Sequence, residues 1–331
     1  MMLKHLFSAF LLTASAWAAS RITAPAGAIV VAKSGGQYST ISAAISALST
    51  TTTSTQTIFI ESGTYDEQVY IPPLAGELII YGQTENTASY SSNLVTITHA
   101  IGLSSVSNDD ETATLRNYAA NSKIYNINVA NTYGKGQQAL ALSAYATDQG
   151  YYACQFTGYQ DTVLAETGNQ VFAKSLIQGA IDFIFGQHAR AWFDGCDIAV
   201  VAGPTEGTIT ANGRSSSSDP SYYVINNSTI SAASGNSVSA GTYYLGRPWT
   251  EYARVVVQDT YMTNVINPAG WIEWSSSQPN TADVLFGEYG NTGAGSSGTR
   301  ASFATKLSSP VTISTILGSD YQNWVDTSYL S

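Results

Sequence analysis

The sequence predicts an all-β protein: a single-stranded, right-handed parallel β-helix closed at its N-terminal end by a helical cap. Three observations carry this. Helical periodicity is confined to one short segment. Beyond it, short β-branched and aromatic runs recur between Gly, Asn and Ser turns, at 57–60, 78–81, 95–98, 123–129, 151–156, 170–177, 190–198, 222–230 and 254–262. Several of these fall into a 21-residue register: Cys154-Gln155-Phe156, Ser175-Leu176-Ile177 and Cys196-Asp197-Ile198, with Gly158 and Gly179 at matching positions. A coil of ~20–25 residues made of short strands is the repeat of a parallel β-solenoid, whereas an antiparallel sandwich has no reason to keep such a period.

The helix is read from Ile41, Ala44, Ile45 and Leu48, an i, i+3, i+4, i+7 stripe with Ser39 or Thr40 as N-cap. Its place before the first repeat suits a cap, since a solenoid's open end exposes unpaired strand edges. The two cysteines, Cys154 and Cys196, lie two coils apart with Ser175 on the rung between them. Two rungs separate Cα atoms by ~9–10 Å, beyond the ~7 Å a disulfide can span. Both are therefore expected to be buried free thiols. The Gly- and Ser-rich stretch 290–298 reads as a surface loop before a closing tail.

Residues 1–18 read as a secretion leader: Lys4 and His5 precede an apolar run, and Ala16-Trp17-Ala18 offers a cleavage site. The run is too short to span a bilayer. Residues 19–331 are expected to form one catalytic domain outside the cell. The formal charge is −10 and the pI about 4.6, which argues against nucleic acid and anionic membrane surfaces as partners. Only 11 % of residues are charged, below the ~25 % of ordinary domains. Three His in all disfavour a His-rich metal site, and no Gly-x-Ser-x-Gly elbow is present. Chemistry in this chain is therefore expected of carboxylates.

Two stand out. Asp161, in Gly158-Tyr159-Gln160-Asp161-Thr162, and Asp182, in Gly179-Ala180-Ile181-Asp182-Phe183-Ile184-Phe185-Gly186, are 21 residues apart, one turn of the solenoid. Stacked on neighbouring rungs, the two carboxylates share one site and cannot both ionise cheaply, so one keeps its proton. Such a pair suits acid–base and nucleophilic work on an ester or a glycoside. Gln138 and Gln160 on their own coils can offer neutral amide donors to a developing oxyanion.

At this point the chain resembles the pectin methylesterase (pectinesterase) family, of fungal or microbial type. The resemblance rests on ordered motifs between residues 30 and 300: Gly63-Thr64-Tyr65-Asp66-Glu67, Gln138-Ala139-Leu140-Ala141-Leu142, the two aspartate frames, and Leu245-Gly246-Arg247-Pro248-Trp249. Ile266-Asn267-Pro268-Ala269-Gly270-Trp271 and Glu288-Tyr289-Gly290-Asn291-Thr292-Gly293 add to it. It implies Asp182 as nucleophile and Asp161 as proton donor and acceptor. It further implies Gln160 and Gln138 as transition-state and oxyanion donors, and Arg247 as the cation holding Asp182 ionised. Phe185, Trp249, Trp271 and Tyr159 are expected to line the cleft against sugar faces. Glu67 is expected to be structural. Many plant relatives have a bridging cysteine where this chain has Ser175.

The implied reaction is hydrolysis of polygalacturonate methyl esters to pectate and methanol through an aspartyl acyl-enzyme, in pectin and cell-wall breakdown. No metal or organic cofactor is required. The expected partner is methyl-esterified homogalacturonan, and a capped solenoid needs no second copy, so a monomer is expected. A polygalacturonase on the same fold, or a non-catalytic pectin-binding solenoid, are the competing readings. Asn226 and Asn227 begin overlapping glycosylation sequons, of which one can be used.

Overall fold

The computed structural model describes residues 19–331; the expected leader, 1–18, lies outside the described residues. The chain winds as a right-handed parallel β-helix whose rungs build three sheets of eleven, eight and seven strands. Every named strand pair is parallel. The 21-residue period appears as register: Gln155 pairs with Leu176 and Leu176 with Asp197, while Tyr151 pairs with Phe172 and Phe172 with Phe193.

Side chains facing inward stack along the axis. Tyr151, Phe172 and Phe193 lie 4.8 Å and 4.7 Å apart with ring planes 15° and 11° from parallel. Identical register on successive rungs makes this unavoidable, and each such contact adds ~0.5–1.5 kcal/mol beyond area burial.

The runs at 123–129, 151–156 and 170–177 each hold two strands. Ser122–Tyr125 is followed by Asn128–Asn131, Gln149–Tyr152 by Gln155–Thr157, and Thr167–Ala173 by Leu176–Gly179. One left-handed residue bends the chain between the members of each pair: Asn126 (φ 55°), Ala153 (φ 49°) and Lys174 (φ 49°). The same bend recurs at Gly195, Asn227 and Asp259 on later rungs. It carries the strand from the eleven-stranded sheet into the eight-stranded one.

Just past that bend runs a ladder of small polar side chains. Cys154 N–H donates to Ser175 Oγ at 3.0 Å, Cys196 N–H to Ser228 Oγ at 3.0 Å, and Ser228 N–H to Thr260 Oγ1 at 3.3 Å. Both cysteines are free and buried, and burial pushes each thiol up to about 12.

Helix α1 (Ile41–Ser46) packs Ile41, Ala44 and Ile45 inward, with Thr40 as its N-cap. Glu67 completes the cap, accepting the Ile41 and Ser42 N–H groups at 2.8 and 2.9 Å, where a helix terminus favours an anion. The closing tail, which the sequence left undefined, covers the outer face of the eleven-stranded sheet. Ile316, Leu317, Trp324, Val325 and Tyr329 pack there against Tyr152, Trp192 and Val224. Among the described residues the seven-stranded sheet has no such cover, and its outer face carries the site. Among the described residues no helix is long and apolar enough to cross a membrane.

The ladder predicts two reactive sulfhydryls per chain after unfolding without reductant, and none in the native protein. A thiol titration that finds none after unfolding contradicts it.

Candidate active site

Asp161 and Asp182 sit in the turns that enter the seven-stranded sheet, just before Val163–Ala165 and Ile184–Gly186. A parallel bridge pairs Gln160 with Ile181, and the Asp161 N–H donates to Ile181 O at 3.0 Å. The two aspartates are therefore neighbours on successive rungs. Both have left-handed backbones, φ 62° and 49°, a conformation that Asp adopts more readily than most residues. Gly179 makes room for the second turn: a Cβ there would lie 2.3 Å from Phe183 Cβ.

Their surroundings differ. Asp182 is 5 % exposed and its carboxylate is held on both oxygens by Arg247: Nε to Oδ1 at 2.9 Å and Nη2 to Oδ2 at 2.6 Å. This bidentate fork fixes the plane of the carboxylate as well as its charge. Thr208 adds a reciprocal clamp, donating Oγ1–H to Asp182 Oδ1 at 2.6 Å while accepting the Asp182 N–H at 3.0 Å. Arg247 in turn lies over the Trp274 ring, 4.3 Å from its centroid. Gly246 lets this strand approach, since a Cβ there would fall 2.0 Å from Thr210 Oγ1.

Asp161 is 7 % exposed and takes no hydrogen bond from any described residue. Burial first, then the neighbouring Asp182 and Asp109 charges, hold its carboxyl well above the usual carboxylate range, while Arg247 pulls the other way. The rungs have thus separated two like groups. One carboxylate has a guanidinium and a hydroxyl; the other has neither, and its environment favours the protonated form.

The pair opens into a cavity of about 220 Å³ lined by Gln138, Gln160, Phe185, Trp249, Trp274 and Asp109 besides the catalytic candidates. The side-chain amides of Gln138 and Gln160 bond to no described residue, which leaves their N–H groups for a ligand. Trp249 faces Trp274 at 6.4 Å and Phe185 at 6.1 Å. A larger hollow of about 640 Å³ lies at the C-terminal end of the solenoid. Its Arg300 and Glu288 are closed on each other at 2.8 and 2.9 Å. Convergent polar groups, rather than volume, mark the site.

Seven expected residues meet here: Asp161, Asp182, Gln138, Gln160, Arg247, Phe185 and Trp249. Two do not. Trp271 is 1 % exposed and stacks inside the solenoid on Phe286 at 4.4 Å, its Nε1–H donating to Glu288. It continues the inward row of its sheet, and Trp274, three residues on, takes the cleft position instead. Tyr159 packs beside the small cluster of Ala180, Ala199, Val201 and Ala233, off the cavity wall. Gly203 leaves room for its hydroxyl, since a Cβ there would lie 2.5 Å away.

Sequence reasoning missed Thr208, Trp274 and Asp109. The Trp271-to-Trp274 spacing was a usable signal for the second. A Thr in a strand and an Asp in an acidic loop carried none. Of the sequon asparagines, Asn226 spends its amide on Asp194 Oδ2 at 3.1 Å and accepts from Gln258 at 2.8 Å. Asn227, exposed at the bend, is the one open to solvent.

With this geometry in place, comparison with known proteins gives one answer. Residues 28–309 match the Pectinesterase family. The chain is 68 % identical to a pectinesterase of Aspergillus niger over the full length of both. It is 67 % identical to one of Aspergillus aculeatus, over 99 % of this chain and all of that one. Among solved structures, a pectin methylesterase from Aspergillus niger superposes with a TM-score of 0.88 at 43 % identity, covering 94 % of this chain and 100 % of that one. The carrot enzyme gives 0.83 at 29 %, covering 93 % and 98 %. The chain belongs to the pectinesterase family, the carboxylic ester hydrolases that remove methyl groups from pectin.

Proposed function

We propose that this pectinesterase works through an aspartyl acyl-enzyme in which Asp182 is the nucleophile and Asp161 the acid and base. The observation that carries the reading is the unequal treatment of two carboxylates on adjacent rungs. Asp182 Oδ1 already accepts from Arg247 and Thr208, whereas Oδ2 accepts from Arg247 alone. Oδ2 therefore keeps a lone pair and is the attacking atom. Its bond to the ester carbonyl carbon pushes charge onto the carbonyl oxygen, where the Gln138 and Gln160 amides donate. Collapse breaks the bond to methoxide, which leaves as methanol with the proton of Asp161. The Asp161 carboxylate then takes a proton from water as that water attacks the acyl carbon, and Asp182 is released.

The roles are separable because the charges are. Arg247 hydrogen-bonds Asp182 and not Asp161, and burial with the neighbouring acidic charges outweighs its pull on Asp161, so the acid stays protonated beside an anion. Phe185, Trp249 and Trp274 supply apolar faces for the sugar. The enzyme acts outside the cell after loss of residues 1–18, and on methyl-esterified homogalacturonan as a monomer, since one polypeptide carries every group of the site. The exposed Asn227 is the better-placed glycan acceptor.

Asp182→Ala is expected to abolish methanol release, a loss of roughly 10⁴-fold or more, while methylated pectin still binds. Gln160→Ala is expected to lower kcat by about 10²–10³-fold with KM little changed. Steady-state methanol release checks both, and an Asp182→Ala protein that still turns over would remove the nucleophile from this scheme.

Stability gives an independent readout. Asp161 is a carboxyl whose folded pKa is raised, so the native state binds the proton more tightly than the unfolded chain. Its contribution therefore favours folding below the unfolded value near ~3.9 and is lost as pH climbs toward the folded value. Asp161→Asn is expected to unfold at higher temperature than the unsubstituted protein near neutral pH, with the gap narrowing toward pH ~4. A variant less stable at neutral pH contradicts the buried, unpaired carboxyl.

A further inference from the structure

A second organised group lies on the same outer sheet face, toward the first coils. Strand register aligns Tyr70 with Arg116, Arg116 with Ser143, and so on to Phe185 in the catalytic cavity. The residues just past these strands form a parallel column. Tyr145 N–H donates to Asn117 O, Glu166 N–H to Ala144 O, and Trp249 N–H to Asn212 O. Tyr118, Tyr145 and the cavity-wall Trp249 thus share one column of the sheet.

The tyrosines form a stack. Tyr118 lies 4.8 Å from Tyr145 with planes 7° from parallel, and 5.4 Å from Tyr70 at 56°. The stack is pinned from beneath by buried Asp110, which accepts the Tyr118 hydroxyl at 2.9 Å and Arg116 Nε at 3.0 Å. Above, it is open: Tyr70 is 44 % and Tyr145 36 % exposed. Tyr118 lies between the other two and holds them in place, and the surfaces of Tyr70 and Tyr145 that it leaves uncovered suit the C–H face of a pyranose. Arg116 lies 5.3 Å from the Tyr70 ring, but Asp110 balances its charge. The surface therefore reads ring faces rather than carboxylates.

We propose that Tyr70, Tyr118 and Tyr145 form a distal sugar-stacking subsite for the same polygalacturonate chain whose ester lies at Asp182. The proposal rests on the catalytic reading above and adds to it a dependence on chain length. The occupant is set by continuity: from the Asp161 strand, Tyr145 is one rung away and Tyr70 three, ~5 and ~14 Å at the spacing of paired strands. A chain leaving the cavity along this face meets Tyr145 first and reaches Tyr70 only after several sugars.

The test uses the whole enzyme with Tyr70→Ala, Tyr145→Ala and Tyr70→Phe, and Tyr261→Ala as an exposed tyrosine of another sheet. Methanol release is measured on long methyl-esterified homogalacturonan and on a methyl-esterified trisaccharide too short to join Asp182 to Tyr70. For Tyr70→Ala, KM on the long chain should rise about 3- to 10-fold with kcat unchanged, and neither should move on the trisaccharide. Tyr145→Ala should likewise raise KM on the long chain, while Tyr70→Phe and Tyr261→Ala should match the unsubstituted enzyme. Binding of a methyl-esterified decasaccharide to Asp182→Ala protein, with and without Tyr70→Ala, separates the two readings. If methanol is released but Tyr70→Ala changes neither KM nor decasaccharide affinity, the subsite is wrong and the catalytic reading stands. If Tyr70→Ala weakens affinity although no methanol is ever released, the subsite stands and the catalytic reading falls. An equal rise of KM on the trisaccharide also overturns the subsite.

Discussion

Everything chemical in this protein depends on one pairing of backbone strands. The bridge between Gln160 and Ile181 forces Asp161 and Asp182 side by side, and the fold cannot relieve the resulting repulsion by moving them apart. A parallel ladder fixes neighbouring rungs ~4.8 Å apart along its whole length. The two carboxyls are distinguished by their partners instead. Arg247 and Thr208 converge on one carboxylate and leave its neighbour buried without a partner among the described residues, so position alone gives two residues of one type the different environments that the proposed nucleophile and acid require.

The rest of the solenoid makes that asymmetry durable. Inward rings stack rung on rung, the polar ladder past each bend satisfies backbone N–H groups, and α1 with Glu67 closes the first coil. The C-terminal tail covers the eleven-stranded sheet through Trp324 and Tyr329 and leaves the seven-stranded sheet open. An extended polymer needs an extended face, and a face built from repeats supplies one without a separate binding domain.

Much of this was legible from residue order. The 21-residue step between aspartates is the rung itself, and the Ile41-to-Leu48 stripe is a helix by its own period. What escaped has physical causes. The bends at Ala153 and Lys174 use residues that carry no turn signature, so the runs there show no break; Asn126 and Gly195, at equivalent positions, do mark one. Trp271 and Trp274 look alike in sequence, and only the direction of the rung decides which faces the core. Thr208 acts through its hydroxyl on a neighbouring coil, a contact 26 residues distant in sequence that no local pattern records. Tyr159 was drawn toward the site by its neighbours Gln160 and Asp161, but the turn points it into an alanine-lined niche.

The claim on which the rest stands is that, near neutral pH, one member of the pair carries a proton and that member is Asp161. Isotope-edited infrared spectroscopy of the unliganded enzyme reads it directly, through the carbonyl stretch of a protonated carboxyl. The band should be present in the unsubstituted protein, persist in Asp182→Asn and vanish in Asp161→Asn. A spectrum with no protonated carboxyl, or a band lost in Asp182→Asn and kept in Asp161→Asn, would contradict it.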